Sequence, residues 1–159
     1  MASEENEGLV LKLELHSDPE LLCVVRGAVQ QLAEVAGLPE AECRSVTLAV
    51  DEALTNIIRH AYQGQRGRPI QLSCRCLGPA APGRPQAQLE FVLVDRGRGV
   101  DPAELRGRPL DEVRPGGLGT HFIREIMDEI EYERRGDCNW LRLVKYLTKQ
   151  KSSETSGGG

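Results

Sequence analysis

Glu52 and Asn56 stand four residues apart in the run Asp51-Glu52-Ala53-Leu54-Thr55-Asn56-Ile57-Ile58-Arg59-His60-Ala61-Tyr62. That spacing puts a carboxylate and an amide on one face of a helix. A carboxylate within reach of a hydroxyl or a water orients it and accepts its proton. An amide oxygen is a hard ligand suited to Mg2+, which keeps several waters and also takes phosphate oxygens. His60 continues the same face, but near a helix C-terminus it fits dipole pairing better than catalysis. A second segment, Asp95-Arg96-Gly97-Arg98-Gly99-Val100-Asp101-Pro102, follows the apolar run Phe91-Val92-Leu93-Val94. A carboxylate there can accept a hydrogen bond from the exocyclic amine of adenine, and Gly97 and Gly99 let backbone approach the ring. A third, Gly116-Gly117-Leu118-Gly119, is a glycine turn opening a helix at Thr120, and N–H groups at a helix start bind phosphate.

Each segment alone also has a plainer reading. The first fits a solvated helix face, the second an ordinary strand-to-loop turn, the third a linker running into a helix. No GxGxxG opens a helix after Asp95, and no Gly-Lys-Ser/Thr follows Gly119, so neither dinucleotide fingerprint nor Walker loop is present. Their chain order is what reads as one nucleotide site, with base, metal ligand, adenine anchor and phosphate loop in sequence.

The elements that must position these residues follow from hydrophobic periodicity. Leu9, Leu11, Leu13 and Leu15 alternate with Val10, Lys12 and Glu14, which predicts a strand with one buried face. Ser17-Asp18-Pro19 predicts a capped helix start. The apolar stripe Leu21, Leu22, Val25, Val29, Leu32 and Val35 predicts the helix itself, stopped by Gly37. Leu38-Pro39-Glu40 opens a second helix, expected to run to about Ala61. Strands are predicted around Ile70–Cys76 and Gln88–Val94, joined by the Gly/Pro-rich connector 78–85. Residues 96–118 hold glycine, proline and charge without periodicity, and a loop that long is usually functional. A helix follows from Thr120 to about Glu129, with Phe122, Ile123, Ile126 and Met127 as its apolar side. Glu131–Arg134 and Trp140–Leu147 predict a hairpin around Gly136-Asp137-Cys138-Asn139. This order implies an α+β, two-layer sandwich: a mixed, mostly antiparallel sheet with helices on one face. The domain is expected over residues 9–148, between a flexible N-terminus (1–8) and a disordered tail (149–159).

The 159 residues carry a net charge of −4, with 28% charged and 40% hydrophobic residues, a balance typical of one globular domain. Nothing basic enough for a nucleic-acid footprint is present. No signal peptide and no apolar stretch long enough to span a bilayer is recognisable. The five cysteines are odd in number and form no CxxC pair. They are expected to be buried or half-buried free thiols in a reducing cytoplasm.

The ordered set resembles the ATP-binding fold of the gyrase, heat-shock chaperone, histidine-kinase and MutL (GHKL) group. Within it, the chain resembles the bacterial anti-sigma factor serine/threonine kinases of the RsbW and SpoIIAB type. The similarity is carried by D-E-A-L-T-N-I-I-R-H-A-Y, by V-D-R-G-R-G-V-D-P, by G-G-L-G-T-H-F-I-R-E-I-M-D-E-I-E-Y, and by the closing N-W-L-R-L-V-K-Y. It covers about Leu9 to Leu147.

The resemblance implies a Bergerat-type fold that binds ATP or ADP with Mg2+. It makes Glu52 the general base or water-orienting acid and Asn56 the Mg2+ ligand. Asp95 would bind the adenine amine in a pocket shaped by Gly97 and Gly99. Residues 101–116 would form a lid, with Gly117, Leu118, Gly119 and Thr120 at the phosphates. Thr120-His121 departs from the family, which usually carries an apolar residue after the last glycine. Implied partners are a STAS-domain anti-sigma antagonist, a sigma factor or related regulator, and a second copy of the chain, in the cytoplasm. Arg96, Arg98, Arg106, Arg108 and Arg114 are the expected electrostatic contacts. The alternative is a non-catalytic ATP-sensing module that switches partners. An ATPase piece of a larger machine and a two-component histidine kinase fit less well.

Overall fold

The alternation of leucine with charge forms strand β1 (Leu9–His16). Leu11, Leu13 and Leu15 are half-buried, while Lys12 and Glu14 are exposed. The computed structural model describes residues 7–78, 86–99 and 117–147. The expected lid, the 79–85 connector and the residues beyond 147 lie outside these, as do residues 1–6 of the N-terminus.

Asp18 does not cap the helix that follows. Its carboxylate instead accepts from Gly67 N–H at 3.3 Å and from Arg66 Nε at 3.2 Å. The buried Ser17 hydroxyl donates to the Gln65 carbonyl at 2.6 Å and accepts from Arg68 N–H at 3.0 Å. Both side chains are therefore engaged in tying down the loop before the second strand. Pro19 opens a short 3-10 turn (Pro19–Leu21) that runs into α1 (Leu22–Val35). Val35, expected in the apolar stripe, is exposed. Ala33 and Ala36 pack inward at that end, and Gly37 ends the helix at φ +93°, which glycine adopts without a steric penalty.

Helix α2 (Glu40–Asn56) does not continue regularly to Ala61. It widens into a π-helical turn over Ile57–Ala61. Tyr62 N–H bonds to Ile57 O at 2.9 Å, and Gly64 N–H returns to Ile58 O at 2.8 Å, with Gly64 in the left-handed region at φ +77°. Strands β2 (Pro69–Leu77) and β3 (Gln88–Asp95) follow. Then come α3 (Gly117–Ile126) and the hairpin of β4 (Glu129–Arg135) and β5 (Cys138–Tyr146). The third helix starts earlier and stops sooner than its periodicity predicts. Lys145 Nζ donates to the Ile126 carbonyl at 3.0 Å, which satisfies a helix-terminal acceptor. Phe122 is exposed, whereas Ile123 and Met127, one turn apart, are buried.

The sheet order is β1-β2-β3-β5-β4. Every pairing is antiparallel, which corrects the expected mixture. The crossover through α3 leads from β3 to β4, but the hairpin folds β5 back between them, so these two strands never meet side by side. Helices cover one face, with Val29, Val46, Leu54, Phe91, Leu93 and Leu143 among the fully buried side chains between the layers. On the alternate face of β3, Glu90 is 5% exposed. Its oxygens take Arg75 Nη1 at 3.2 Å and Arg142 Nε at 2.7 Å, and Arg142 reaches on to Glu129 at 2.9 Å. This α+β arrangement is the two-layer fold expected.

All five thiols are free; Cys43 and Cys74 are buried, Cys76 and Cys138 half-buried, and Cys23 exposed, contrary to expectation. Burial pushes the Cys74 thiol up to about 12. No described helix is long and apolar enough to cross a membrane.

Leu54 lies between the layers on the helix that carries Glu52 and Asn56. Leu54→Ala is expected to lower the unfolding free energy by about 2–5 kcal/mol, measured by urea denaturation.

Candidate nucleotide site

Asp95 closes β3 at 4% exposure, a position where a charge survives only if hydrogen-bonded. Register places it opposite Asn139 on β5. Asn139 Nδ2 donates to Asp95 Oδ1 at 2.7 Å, and Gly97 N–H donates to the same oxygen at 2.8 Å. Among the described residues, both bonds fall on Oδ1, which leaves Oδ2 to meet a donor. Asn139 is itself held: its Oδ1 accepts from Tyr132 Oη at 2.7 Å and from Arg134 Nη1 at 2.8 Å. Burial pushes the Asp95 carboxyl above its ordinary range; the bonds from Asn139 and Gly97 and the Arg134 charge pull the other way.

The loop after Asp95 sits directly on the π-helical turn. A Cβ on Gly97 would meet the Ala61 carbonyl oxygen, carbonyl carbon and Cβ at 2.5–2.6 Å, so no side chain fits. Helix ends leave carbonyls without intrahelical partners, and here they are used. Arg98 N–H donates to Ala61 O at 3.0 Å, and Arg98 Nε donates to His60 O at 2.9 Å. Tyr62, the residue after the turn, is buried and braces the loop from below. Its hydroxyl accepts from Arg96 N–H at 2.8 Å and donates to the Pro69 carbonyl. Arg134 Nη1 closes the loop from the hairpin side through Gly97 O at 2.7 Å.

Gly99 differs from Gly97. It is exposed, and an added Cβ would meet only the Arg134 side chain at ordinary contact distance. Glu52 and Asn56 are both half-buried on α2. His60 is exposed and contributes its carbonyl, not its ring. Gly117, Leu118, Gly119 and Thr120 form the first turn of α3, so the helix begins within the glycine segment rather than at Thr120. Arg98 spends its Nε on the His60 carbonyl. Arg96 lies 3.8 Å from Asp137 at the surface. Arg106, Arg108 and Arg114 fall outside the described residues.

Asn139, Tyr62 and Arg134 were not singled out as site residues from sequence. The signal for Asn139 is a polar residue at an inward strand position, legible only once the β3–β5 register is known.

A family model described as the histidine kinase-like ATPase domain matches residues 15–145. The chain is 23% identical to the serine-protein kinase RsbW of Bacillus pumilus, covering 89% of this chain and 88% of that protein. It is 30% identical to the serine/threonine-protein kinase BtrW of Bordetella bronchiseptica, covering 64% of this chain and 69% of that one. Among solved structures, the SiaB–SiaC complex from Pseudomonas aeruginosa shares the fold at a TM-score of 0.63 and 15% identity, covering 90% of this chain and 93% of that one. The RsbU and RsbW domains of a Mycobacterium tuberculosis protein share it at 0.58 and 12% identity. There 87% of this chain matches, and the match spans 33% of that longer chain.

Gly97→Ala is expected to destabilise the chain by about 1–3 kcal/mol. Ala61→Gly in the same chain recovers only part of this, since two of the three close atoms are backbone; denaturant midpoints check it. A second expectation concerns Asp95. A carboxyl held above its unfolded value (about 3.9) contributes stability that is present below that value and lost as pH rises through the folded one. Asp95→Asn keeps the oxygen that accepts both bonds and removes the buried charge. The nucleotide-free variant is therefore expected to be at least as stable as the wild type at neutral pH, with any advantage closing as pH falls through the carboxylate range. Thermal melts across pH measure this, and a marked loss at neutral pH would contradict it.

Proposed function

Because the chain belongs to the histidine kinase-like ATPase family, we propose that it binds ATP and ADP with Mg2+ and phosphorylates a serine or threonine of a partner protein. The observation that carries this reading is the buried Asp95, fixed through Oδ1 beside a glycine that no larger residue can replace. A carboxylate held in this way suits the adenine amine. It disfavours guanine, which offers a carbonyl at the corresponding ring position and would set acceptor against acceptor.

Phosphoryl transfer asks mainly for positioning and charge neutralisation. The N–H groups of the first turn of α3 would face the phosphates. Glu52 would accept the hydroxyl proton as the new O–P bond forms and the bond to the leaving ADP oxygen breaks. A divalent cation supplies charge neutralisation at the phosphates, and the Asn56 amide oxygen is the ligand suited to hold it. Among the described residues, no cluster of three or more His, Cys, Asp or Glu side chains could hold a metal alone.

The relatives support the choice of substrate, being named serine-protein kinases and a serine/threonine-protein kinase. We infer a partner-switching role in the cytoplasm. The chain would phosphorylate a STAS-domain anti-sigma antagonist, also bind a sigma factor or related regulator, and act as a homodimer.

Two variants separate binding from chemistry. Asp95→Asn should weaken ATP by about ten- to a hundredfold, the loss of one charge-assisted hydrogen bond. Glu52→Gln should leave ATP affinity near wild type and cut phosphate transfer by about 10²-fold. Calorimetry with ATP and labelled-phosphate transfer to a candidate antagonist give the two readouts. No ATP binding by the wild type sinks the proposal. Wild-type transfer by Glu52→Gln removes Glu52 as the base, whereas ATP binding with no transfer by the wild type favours the ATP-sensing module without chemistry.

A further inference from the structure

Arg134 is an exposed residue of β4, yet its side chain lies against the loop that follows Asp95. Its Nη1 donates to Gly97 O at 2.7 Å and to Asn139 Oδ1 at 2.8 Å. Its Cδ and Nε lie 3.6 and 3.7 Å from where a Cβ on Gly99 would sit. Among the described residues no carboxylate pairs with it. Other arginines of the hairpin do find one: Arg135 takes Glu133 and Arg142 takes Glu131.

A guanidinium only donates, so Asn139 must turn its oxygen toward Arg134 and its nitrogen away. The far side of the amide agrees. Asn139 Nδ2 donates to Arg98 O at 3.0 Å as well as to Asp95 Oδ1 at 2.7 Å. A reversed amide would set oxygen against both of these acceptors and its own donors against a cation. Donation therefore runs one way, from Arg134 through Asn139 to Asp95, and Asp95 ends the series as an acceptor at Oδ2. The groups around Asp95 fit an ionised carboxylate. Arg134, from β4, brings the charge that favours it. The Tyr62 phenol, from the turn after α2, is held above its ordinary range by burial and stays neutral. Strand β2 sets the apolar Ile70 opposite Asp95, and Arg96 and Arg98 follow on its own loop.

We propose that Arg134 is a positioning residue of the nucleotide site: by orienting Asn139 and pinning the Gly97 carbonyl, it fixes Asp95 as an acceptor and so sets the preference for adenine over guanine. The proposal rests on the reading of Asp95 as the base-binding residue. It puts a determinant of base choice on an exposed hairpin, outside the three sequence motifs. An ionised Asp95 accepts from the adenine amine, whereas a protonated one can donate to the guanine carbonyl. Whatever keeps the carboxylate charged therefore also selects the base.

Arg134→Met and Arg134→Lys test it in the full chain. Calorimetry with ATP and with GTP across pH gives one readout. Carbon NMR of the Asp95 carboxyl in the nucleotide-free chain, assigned with Asp95→Asn, gives the other. ATP affinity that needs an ionised Asp95 is present above its folded pKa and lost as pH falls through it. Arg134→Met removes a favourable cation, so the loss should begin at higher pH than in the wild type, and the NMR midpoint should rise with it. The nucleotide's own titration is common to every chain and cancels in the comparison. At neutral pH Arg134→Met should bind ATP roughly tenfold more weakly, with a narrowed preference for ATP over GTP. Arg134→Lys keeps a cation that only donates and should return both midpoint and preference toward the wild type. An Arg134→Met chain that loses ATP affinity by one factor at every pH, with NMR midpoint and base preference unchanged, overturns the proposal and leaves Arg134 a support of the fold. A lysine variant that behaves as the methionine one also overturns it. A wild type that binds no ATP overturns the nucleotide reading itself, and the NMR midpoints, read without nucleotide, keep that failure distinct from a failure of Arg134 to act on Asp95.

Discussion

The contact between Gly97 and the carbonyl end of the second helix is the constraint on which the site depends. Backbone meets backbone there, with no side chain between, and two hydrogen bonds from Arg98 to Ala61 and His60 hold the surfaces together. The helix that carries Glu52 and Asn56 is thereby docked on the strand end that carries Asp95. Any residue larger than glycine would force the two apart, and Glu52 and Asn56 would move relative to Asp95.

The π-helical turn explains why the helix can make this contact. A π turn holds an extra residue per turn and shifts which carbonyls are satisfied internally. Between Ile57 and Ala61 it presents two carbonyls to the loop while Ile57, Ile58 and Ala61 remain buried. The fixed position of Tyr62 follows, since its hydroxyl is shared between Arg96 N–H and the Pro69 carbonyl. Ser17 and Asp18 complete the support by holding the 65–68 loop. The polar residues around the turn thus belong to one connected scaffold behind the nucleotide segments.

Much of this was legible in the sequence because the signals were local. Alternation in Leu9–Leu15, the stripe of α1, and the three motifs each reflect residues near one another in the chain. What escaped reading depended on distant partners. Asp18 looked like a cap, but its acceptor is taken by Gly67 and Arg66, some fifty positions on. Helical periodicity is nearly the same for one regular helix and for a helix ending in a π turn, so 40–61 read as a single element. Asn139 is unremarkable until the β3–β5 register sets it opposite Asp95. The sheet was expected to be mixed, but β1 and β2, joined through two helices, pair antiparallel, and β5 lies between β3 and β4.

Strand β5 joins the two ends of the site. At its start, Asn139 holds Asp95 and, through its Oδ1, takes Tyr132 and Arg134 from the hairpin. Near its end, Val144 O accepts from Asp128 N–H at 2.8 Å, Tyr146 N–H donates to Asp128 Oδ2 at 2.7 Å, and Lys145 reaches the Ile126 carbonyl. These bonds anchor the C-terminal end of α3, while Ile123 and Met127 bury its inner side. Asp95 and the C-terminal end of α3 are thus both referred to one nine-residue strand. Their separation is set by the sheet and by the bonds that tie each to β5.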